Sequence, residues 1–209
     1  LAPLAHAAAV NELVEEWNGS SWGTNPNSVP TAVMLPYGTG TSTAGLIFGG
    51  NTAGGGTVTA NTQTFDGTSF SEVNDLNTAR SGLGGAGTQT ATLAYGGAYG
   101  SSWTNSPTPL ISGRNSMGAA GTNTAAASFG GNSPPALATY NNDYQLYDGT
   151  AWVTQPSMTT ARAYIAGFGT STAAVAAGGL GPAFNPDKSR TEEFTGVTET
   201  ANVTNFTTS

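Results

Sequence analysis

Short apolar runs that end at two glycines recur along the chain and predict buried β-strands. AGLIFGG and ATLAYGG are two of these runs, and each is only a few residues long. A short apolar run closed by Gly-Gly is typical of a strand that ends in a turn. We therefore expect a strand to end at each of four glycine pairs, which are Gly49–Gly50, Gly96–Gly97, Gly130–Gly131 and Gly178–Gly179.

A second pattern alternates with these runs and predicts tight hairpins. It places an aromatic residue before Asn-Gly or Asp-Gly, then small residues and a second aromatic residue, as in WNGSSW, FDGTSF and YDGTAW, with FTGVTE in the corresponding place near the C-terminus. Asn-Gly and Asp-Gly supply the positive φ that such turns need. Asn18, Asp66 and Asp148 are therefore predicted to be turn residues whose side chains bond their own backbone.

The patterns repeat together, which predicts a repeat architecture. Gly50 and Gly97 are 47 residues apart, and Gly131 and Gly179 are 48 apart. Periods of this length are typical of propellers and solenoids. No segment with helical periodicity separates the repeats, and four short strands per period suit the blade of a β-propeller.

One interval breaks the period. Gly97 and Gly131 are only 34 residues apart. Either two short strands, around Ser101–Asn105 and Pro109–Ser112, complete a blade there, or residues of the repeat are absent.

The order Tyr-Asp-Gly-Thr-x-Trp, Met-x-x-Ala-Arg, apolar strand, Gly-Gly resembles the kelch repeat. The resemblance implies that Gly178–Gly179 ends a second strand, that Tyr147 ends a third and that Trp152 lies on a fourth. It gives Gly49–Gly50, Phe65 and Phe70 the same roles. We expect an all-β, kelch-like β-propeller with about four recognisable four-stranded blades, closed on itself or completed by other sequence or subunits.

The resemblance also sets the expected boundaries. The repeats cover residues 11–199, between an irregular N-terminal segment (1–10) and an irregular C-terminal tail (200–209).

Charge and composition exclude several classes of function. The net charge is −7, with one Lys and four Arg in 209 residues. Nucleic-acid binding needs several cations to neutralise phosphates, so we expect no nucleic-acid partner and no anionic membrane partner. The chain has no Cys, which excludes disulfides and thiolate metal sites, and no apolar run long enough to span a membrane.

Repeated aromatic and basic residues each allow two interpretations. Trp17, Trp22, Trp103 and Trp152 would either form a platform that stacks on sugars or, as their repeat positions favour, fill space between blades. A recurrent arginine would either bind a carboxylated ligand near the channel mouth or, as its recurrence favours, pair with a carboxylate or cap carbonyls between blades. These arginines are Arg80, Arg114 and Arg162.

Candidate catalytic and metal-binding groups are few. His6 is the single His and has no partners for a catalytic triad. Some kelch-related propellers are copper oxidases, but the ligand set of that site is missing here. A carboxylate pair for glycoside hydrolysis stays open at Glu15–Glu16 and Glu192–Glu193, although their repeat positions favour structure. Asn141–Gly149 lacks the spacing of a calcium loop. We expect no enzyme, cofactor or metal.

Three loops that depart from the period are the best candidates for binding. They are Asn51–Thr62, Asn132–Asp143 and Leu180–Ser189, and each follows a glycine pair. Because equivalent loops emerge on the same face, we expect them to form one binding face. Tyr140, Phe184 and Asp187 are its candidate contact residues.

The phrases NTAR, GAGTQTA and TEEFTG, in Thr/Gly-rich repeats with a single Lys, resemble kelch-like proteins of tailed bacteriophages, marine ones in particular. The resemblance implies a non-enzymatic virion structural or appendage protein, outside the cell on the particle. Its partners would be other virion proteins, further copies of itself, and a host glycan or receptor. A cellular kelch-type scaffold and a secreted carbohydrate-binding lectin or enzyme are the alternatives.

Overall fold

The computed structural model describes residues 13–52, 57–98, 110–133, 139–182 and 190–195, together with the backbone of 203–206. Over these residues the protein is all-β, without an α-helix, and every strand pairing is antiparallel. It follows that no described helix is long and apolar enough to cross a membrane.

The strands are short, as the apolar runs predict. In chain order they are β1 (Val14–Trp17), β2 (Trp22–Asn25), β3 (Tyr37–Thr41), β4 (Ala44–Phe48), β5 (Thr62–Phe65), β6 (Phe70–Glu72), β7 (Gly84–Thr88), β8 (Ala91–Tyr95), β9 (Gly118–Gly121), β10 (Ala126–Phe129), β11 (Asn132–Ser133), β12 (Thr139–Tyr140), β13 (Tyr144–Tyr147), β14 (Trp152–Gln155), β15 (Ala166–Gly169), β16 (Ala173–Ala177), β17 (Thr191–Thr195) and β18 (Val203–Phe206).

The strands form three four-stranded sheets and three two-stranded ones. Sheet I contains β3 to β6, sheet III contains β9, β10, β13 and β14, and sheet IV contains β15 to β18. Sheet II consists of β7 and β8 in the described residues, β11 pairs with β12, and β1 pairs with β2 in what we call the N-terminal hairpin. Strands β4, β8, β10 and β16 each end directly before a glycine pair.

Asx side chains close the outer hairpins. Asp148 Oδ1 accepts hydrogen bonds from the amides of Thr150 (2.8 Å) and Ala151 (2.9 Å), and Gly149 has φ of 97°. Asp66 and Asn18 occupy the same place in their own turns and accept equivalent bonds. Glycine is required at the second position because positive φ is strained for other residues.

The first strands of successive sheets lie side by side, with β3 against β7, β7 against β9 and β9 against β15. Glycine permits this close approach. A Cβ on Gly167 of β15 would lie 2.4 Å from the carbonyl oxygen of Ala119 in β9 and 2.7 Å from the ring of Phe129 in β10, both in the neighbouring sheet. The small residues of these strands therefore serve sheet packing, and the arrangement is consistent with a β-propeller-like fold.

Main-chain hydrogen bonds also join neighbouring sheets. They are made by residues that come just before each first strand in the sequence. Gly82 N donates to Leu35 O (3.1 Å), Ser116 N to Gly82 O (2.6 Å) and Tyr164 N to Ser116 O (2.7 Å). All four residues have positive φ, between 53° and 60°. Three of them are not glycine, so these bonds between sheets hold a strained backbone in place.

One segment that was expected to be irregular contains a strand. Val203–Phe206 forms β18 and pairs with β17, so the predicted irregular tail contains the fourth strand of sheet IV and the repeats continue past residue 199. For the short interval between Gly97 and Gly131, one of the two alternatives places a strand around Pro109–Ser112. Its described part, Leu110–Ser112, is not a strand. Leu110 is buried, and the Ile111 amide donates to Gln145 Oε1 (3.2 Å). Residues 1–10 and Ser101–Asn105 lie outside the described residues.

Candidate functional site

The loops that follow the glycine pairs leave the sheets at equivalent points. The residue after each glycine pair forms an isolated β-bridge with a residue ahead of a first strand. That second residue directly follows the recurrent arginine or, in the first repeat, Val33. The four bridges are Asn51 to Met34, Ala98 to Ser81, Asn132 to Asn115 and Leu180 to Ala163. The loops therefore start at one end of the molecule, next to the beginnings of the first strands. We call this end, defined by Asn51, Ala98, Asn132 and Leu180 and the loops after them, the loop face.

Tyr140 is the candidate contact residue that the structure places on the loop face. It lies in β12, opposite Asn132 of β11, and is half-buried. Asn141 Nδ2 donates to Ser133 Oγ (2.7 Å) and holds the base of this ribbon. Phe184 and Asp187 lie outside the described residues, so the structure does not bring the three candidates together.

The recurrent arginines are engaged within the sheets. Arg114 is fully buried, and its Nη1 donates to the carbonyl oxygens of Gly130 (3.0 Å) and Asp143 (3.0 Å). Arg162, also fully buried, donates to the carbonyls of Gly178 and Arg190. Each arginine thus links the end of a second strand to the start of the third. Arg80 makes the corresponding bond to Gly96 O (3.1 Å).

Desolvation acts on the buried guanidinium group of Arg114. Burial lowers its pKa to about 10, and the nearby carboxylate of Asp143 opposes this shift. Asp143 Oδ2 is itself held by the hydroxyl of Ser112 (3.1 Å). The forked donors of Arg114 therefore contact the interior of the protein and not a ligand site.

Sheet IV adds an ion pair to the same arrangement. Arg162 Nη2 donates to Glu192 Oε1 at 2.9 Å, with both side chains buried. Glu192 Oε2 accepts a further bond from the Thr159 amide (2.6 Å). The Glu192 carboxylate is thus fully engaged, which argues against the Glu192–Glu193 pair as a hydrolytic centre. Gln63 and Gln145 are buried in the equivalent places of sheets I and III.

The tryptophans differ in their surroundings. Trp152 is buried, with its ring 4.7 Å from that of Tyr95 in the preceding sheet and 5.3 Å from that of Tyr147. Trp17 and Trp22 are 54% and 66% exposed, although their rings contact each other at 5.7 Å. Within the described residues no ring lies against these two tryptophans as Tyr95 lies against Trp152, so the packing between blades is not met there. Trp103 lies outside the described residues.

The side chains of Asn141–Asp143 all make hydrogen bonds within the protein. Asn142 Nδ2 donates to the carbonyl of Met158 (2.9 Å), which ties sheet III to the connection that leads into sheet IV. Among the described residues no group of three or more His, Cys, Asp or Glu could hold a metal ion. His6 falls outside that set.

Sequence reasoning missed two features. An apolar recess between sheets III and IV is lined by Phe129, Tyr144, Met158 and Phe194, and burial raises the pKa of Tyr144. On the first strand of sheet IV, Phe168 is more than half exposed. The strand register gives a signal for the exposed Phe168. The residues at the equivalent position of sheets II and III are the buried alanines Ala86 and Ala120.

Comparison with known proteins supports the fold. No family model matches the chain, and no curated protein matches it. Among solved structures, the structure of YjhT aligns with 92% of this chain and 75% of that chain, at 13% sequence identity and a TM-score of 0.74. At this identity the similarity shows the fold alone. The chain therefore shares its all-β arrangement of antiparallel sheets with a protein of very different sequence.

Proposed function

We propose that this chain is a non-enzymatic structural or attachment protein of a tailed-phage particle, built as a kelch-like β-propeller. The resemblance of its Thr/Gly-rich repeats to phage kelch-like proteins supports the assignment to a particle. The observation that carries the binding role is the loop face, where four loops of different sequence leave the sheets at equivalent points.

The residues of the sheets and those of the loops have different roles, and this difference supports a binding role. The recurrent arginine side chains bond the sheets to themselves, as Arg114 does through the carbonyls of Gly130 and Asp143. Residues that differ between repeats, such as Tyr140 on its two-stranded ribbon, belong to the loops. Variable loops on a rigid scaffold are typical of binding sites. In this proposal the loop face contacts other virion proteins, in several copies, and a host glycan or receptor.

The first test is the composition of purified particles from the phage that encodes this sequence. We expect peptides of the chain in the particle by mass spectrometry, and cryo-electron microscopy density at the tail or surface with the loop face against a neighbour or turned outward. A chain found in infected cells but missing from particles would contradict the proposal and would favour a cellular scaffold.

A second test addresses the loop face directly. We expect Tyr140→Ala to weaken binding of the purified protein to host cells or to neighbouring virion proteins. Val153→Ala is the matched control, since Val153 is half exposed on the outer strand β14. Equal binding by both variants would argue against the loop face as the contact surface.

A further inference from the structure

The turn of the N-terminal hairpin holds the single Asn-Gly pair of the chain. Of all the asparagines in the sequence, Asn18 alone is followed directly by glycine. The equivalent turns of sheets I and III have Asp66 and Asp148 in this place, each also before a glycine. A main-chain amide nitrogen can attack the side-chain carbonyl carbon of the residue before it, and glycine permits the closest approach because it has no Cβ. Asn18 is therefore the asparagine whose side-chain amide is chemically easiest to lose.

The nucleophile of this reaction is the Gly19 amide nitrogen, and nothing distant from it in the sequence obstructs it. Asn18 and Gly19 are both exposed, so water reaches the turn. The Gly19 amide makes no hydrogen bond in the described part of the chain. Among the described residues, none but its chain neighbours has a heavy atom within 4 Å of the place that a Cβ on Gly19 would take. Attack by this nitrogen therefore breaks no hydrogen bond of the described structure.

The carbonyl group under attack is polarised by three donors. Asn18 Oδ1 accepts hydrogen bonds from the amides of Ser20 and Ser21 and from the Ser20 hydroxyl, each at 2.9 Å. Negative charge develops on this oxygen when a nucleophile adds to the carbon, and donors already in position stabilise such charge. Asn18 Nδ2, the nitrogen that leaves, lies 3.2 Å from Ser21 Oγ. The turn thus places donors at the oxygen and a hydroxyl beside the leaving nitrogen.

We propose that Asn18 is a site of spontaneous deamidation in the folded chain, assisted by the donors of its own turn. Gly19 N bonds to Asn18 Cγ and gives up its proton, while the bond from Cγ to Nδ2 breaks and ammonia leaves with that proton. Water then opens the cyclic imide, at Cγ to give aspartate or at the main-chain carbonyl carbon to give isoaspartate. The proposal does not depend on the particle assignment, because it concerns the chemistry of one turn.

The two products differ in how they fit the hairpin. Asp148 Oδ1 accepts bonds from the amides two and three residues further on, at 2.8 and 2.9 Å, and Asn18 Oδ1 accepts from the equivalent amides. An aspartate at position 18 would keep these bonds and add a negative charge. Isoaspartate adds a main-chain atom between Trp17 and Trp22, whose pairing the present turn length sets. Aspartate therefore preserves the turn, in the form that Asp66 and Asp148 already have, and isoaspartate disrupts it.

The test incubates the purified full chain at neutral pH and follows every asparagine by mass spectrometry of a chymotryptic digest. We expect deamidation at Asn18 ahead of the other asparagines, with one product that coelutes with the same peptide from an Asn18→Asp variant. Ser20→Ala removes one donor to Asn18 Oδ1 and should slow the reaction about two- to tenfold, the rate equivalent of one hydrogen bond. Thr68→Ala, the same kind of change at the equivalent exposed position of the sheet I turn, is the matched control and should leave the rate unchanged.

Circular dichroism of each variant checks that the sheets remain folded, as the exposure of Ser20 and Thr68 leads us to expect. Two outcomes would overturn the proposal. One is an Asn18 that stays intact in the folded chain while it reacts in a synthetic peptide of residues 16–22, since the turn would then protect the side chain. The other is a rate that Ser20→Ala leaves unchanged or that Thr68→Ala lowers equally, which would show that the donors to Asn18 Oδ1 give no assistance.

Discussion

Glu192 and Glu15 occupy the same position in the repeat but lie in opposite environments. Glu192 is buried beside Arg162, and two residues further on the ring of Phe194 lies 4.4 Å from that of Tyr144 in the preceding sheet. Glu15 is exposed, and two residues further on Trp17 is exposed as well. In both regions the strand that carries the glutamate pairs antiparallel with the next strand along the chain. What differs is the neighbouring sheet, so burial in this fold is a property of the assembled sheets and not of the single repeat.

The largest expected effect comes from removal of the arginine that pairs with the buried Glu192. Arg162→Met leaves Glu192 buried without its cation and removes donors from two carbonyl oxygens. Removal of one partner of a buried ion pair costs about 3–5 kcal/mol, so we expect a loss of this size in the free energy of unfolding by urea titration. Glu15→Gln is the control and should change stability by less than about 0.5 kcal/mol. Similar losses in the two variants would show that the two regions are equivalent after all.

The tryptophans give the next largest contrast. Trp152→Ala should lower the free energy of unfolding by about 3 kcal/mol, near the low end for a buried aromatic. The low end applies because Trp152 Nε1 is buried without a described hydrogen-bond partner, so its removal also removes an unsatisfied donor. Trp22→Ala removes an exposed ring and should cost less than about 1 kcal/mol, the usual value of a cross-strand pair.

Thermal unfolding of the two tryptophan variants, followed by circular dichroism, checks this prediction. A cost for Trp22→Ala that matches that of Trp152→Ala would mean that the N-terminal hairpin is covered by protein in solution.

Local chemistry explains which parts of the fold the sequence predicts well. Asp148 and Gly149 form their turn through bonds within four residues, and the glycine pairs follow their strands directly. Neither feature needs a distant partner. The common starting point of the loops follows from the repeat in the same way, since every loop comes after the same two strands.

The expectations that fail depend on distant neighbours. Trp17 has the sequence surroundings of Tyr147, yet only an adjacent sheet decides whether its ring is buried. The positive φ of Ser116 and Tyr164 arises from bonds to the previous sheet, which no local pattern encodes. For the candidate site, the repeat predicts the common starting point of the loops. The three predicted contact residues belong to loops that differ between repeats, and of these three Tyr140 lies in the described residues.

A smaller effect is expected from the glycines that let sheets approach. A Cβ on Gly167 would lie 2.4 Å from a backbone oxygen and 2.5 Å from a backbone nitrogen of Ala119, neither of which can move aside. Gly167→Ala should therefore cost about 1–3 kcal/mol, as overpacked interiors do. Gly23→Ala, on the N-terminal hairpin, has no heavy atom within 4 Å of the new Cβ and should be neutral or stabilise by about 0.5 kcal/mol. Urea titration of both variants measures the difference, and a neutral Gly167→Ala would show that the sheets are not packed at this distance.

The smallest expected effect distinguishes a turn closed by a charged carboxylate, that of Asp148, from one closed by a neutral amide, that of Asn18. The amides of Ala151 and Thr150 hold the pKa of the exposed Asp148 carboxyl below its usual value, and Asn18 makes the same bonds without a charge. A carboxyl whose folded pKa lies below the unfolded value of about 3.9 stabilises the protein above that pH, and the contribution is lost as pH falls through the folded pKa. The stability difference between the native chain and Asp148→Ala should therefore be present at pH 7 and shrink below about pH 4. The difference for Asn18→Ala should stay constant over the same range, because the amide does not titrate. Melting temperatures of the three proteins at pH 7 and pH 3 decide the matter, and a pH-independent difference for Asp148→Ala would mean that the turn is held by its backbone and not by the charged carboxylate.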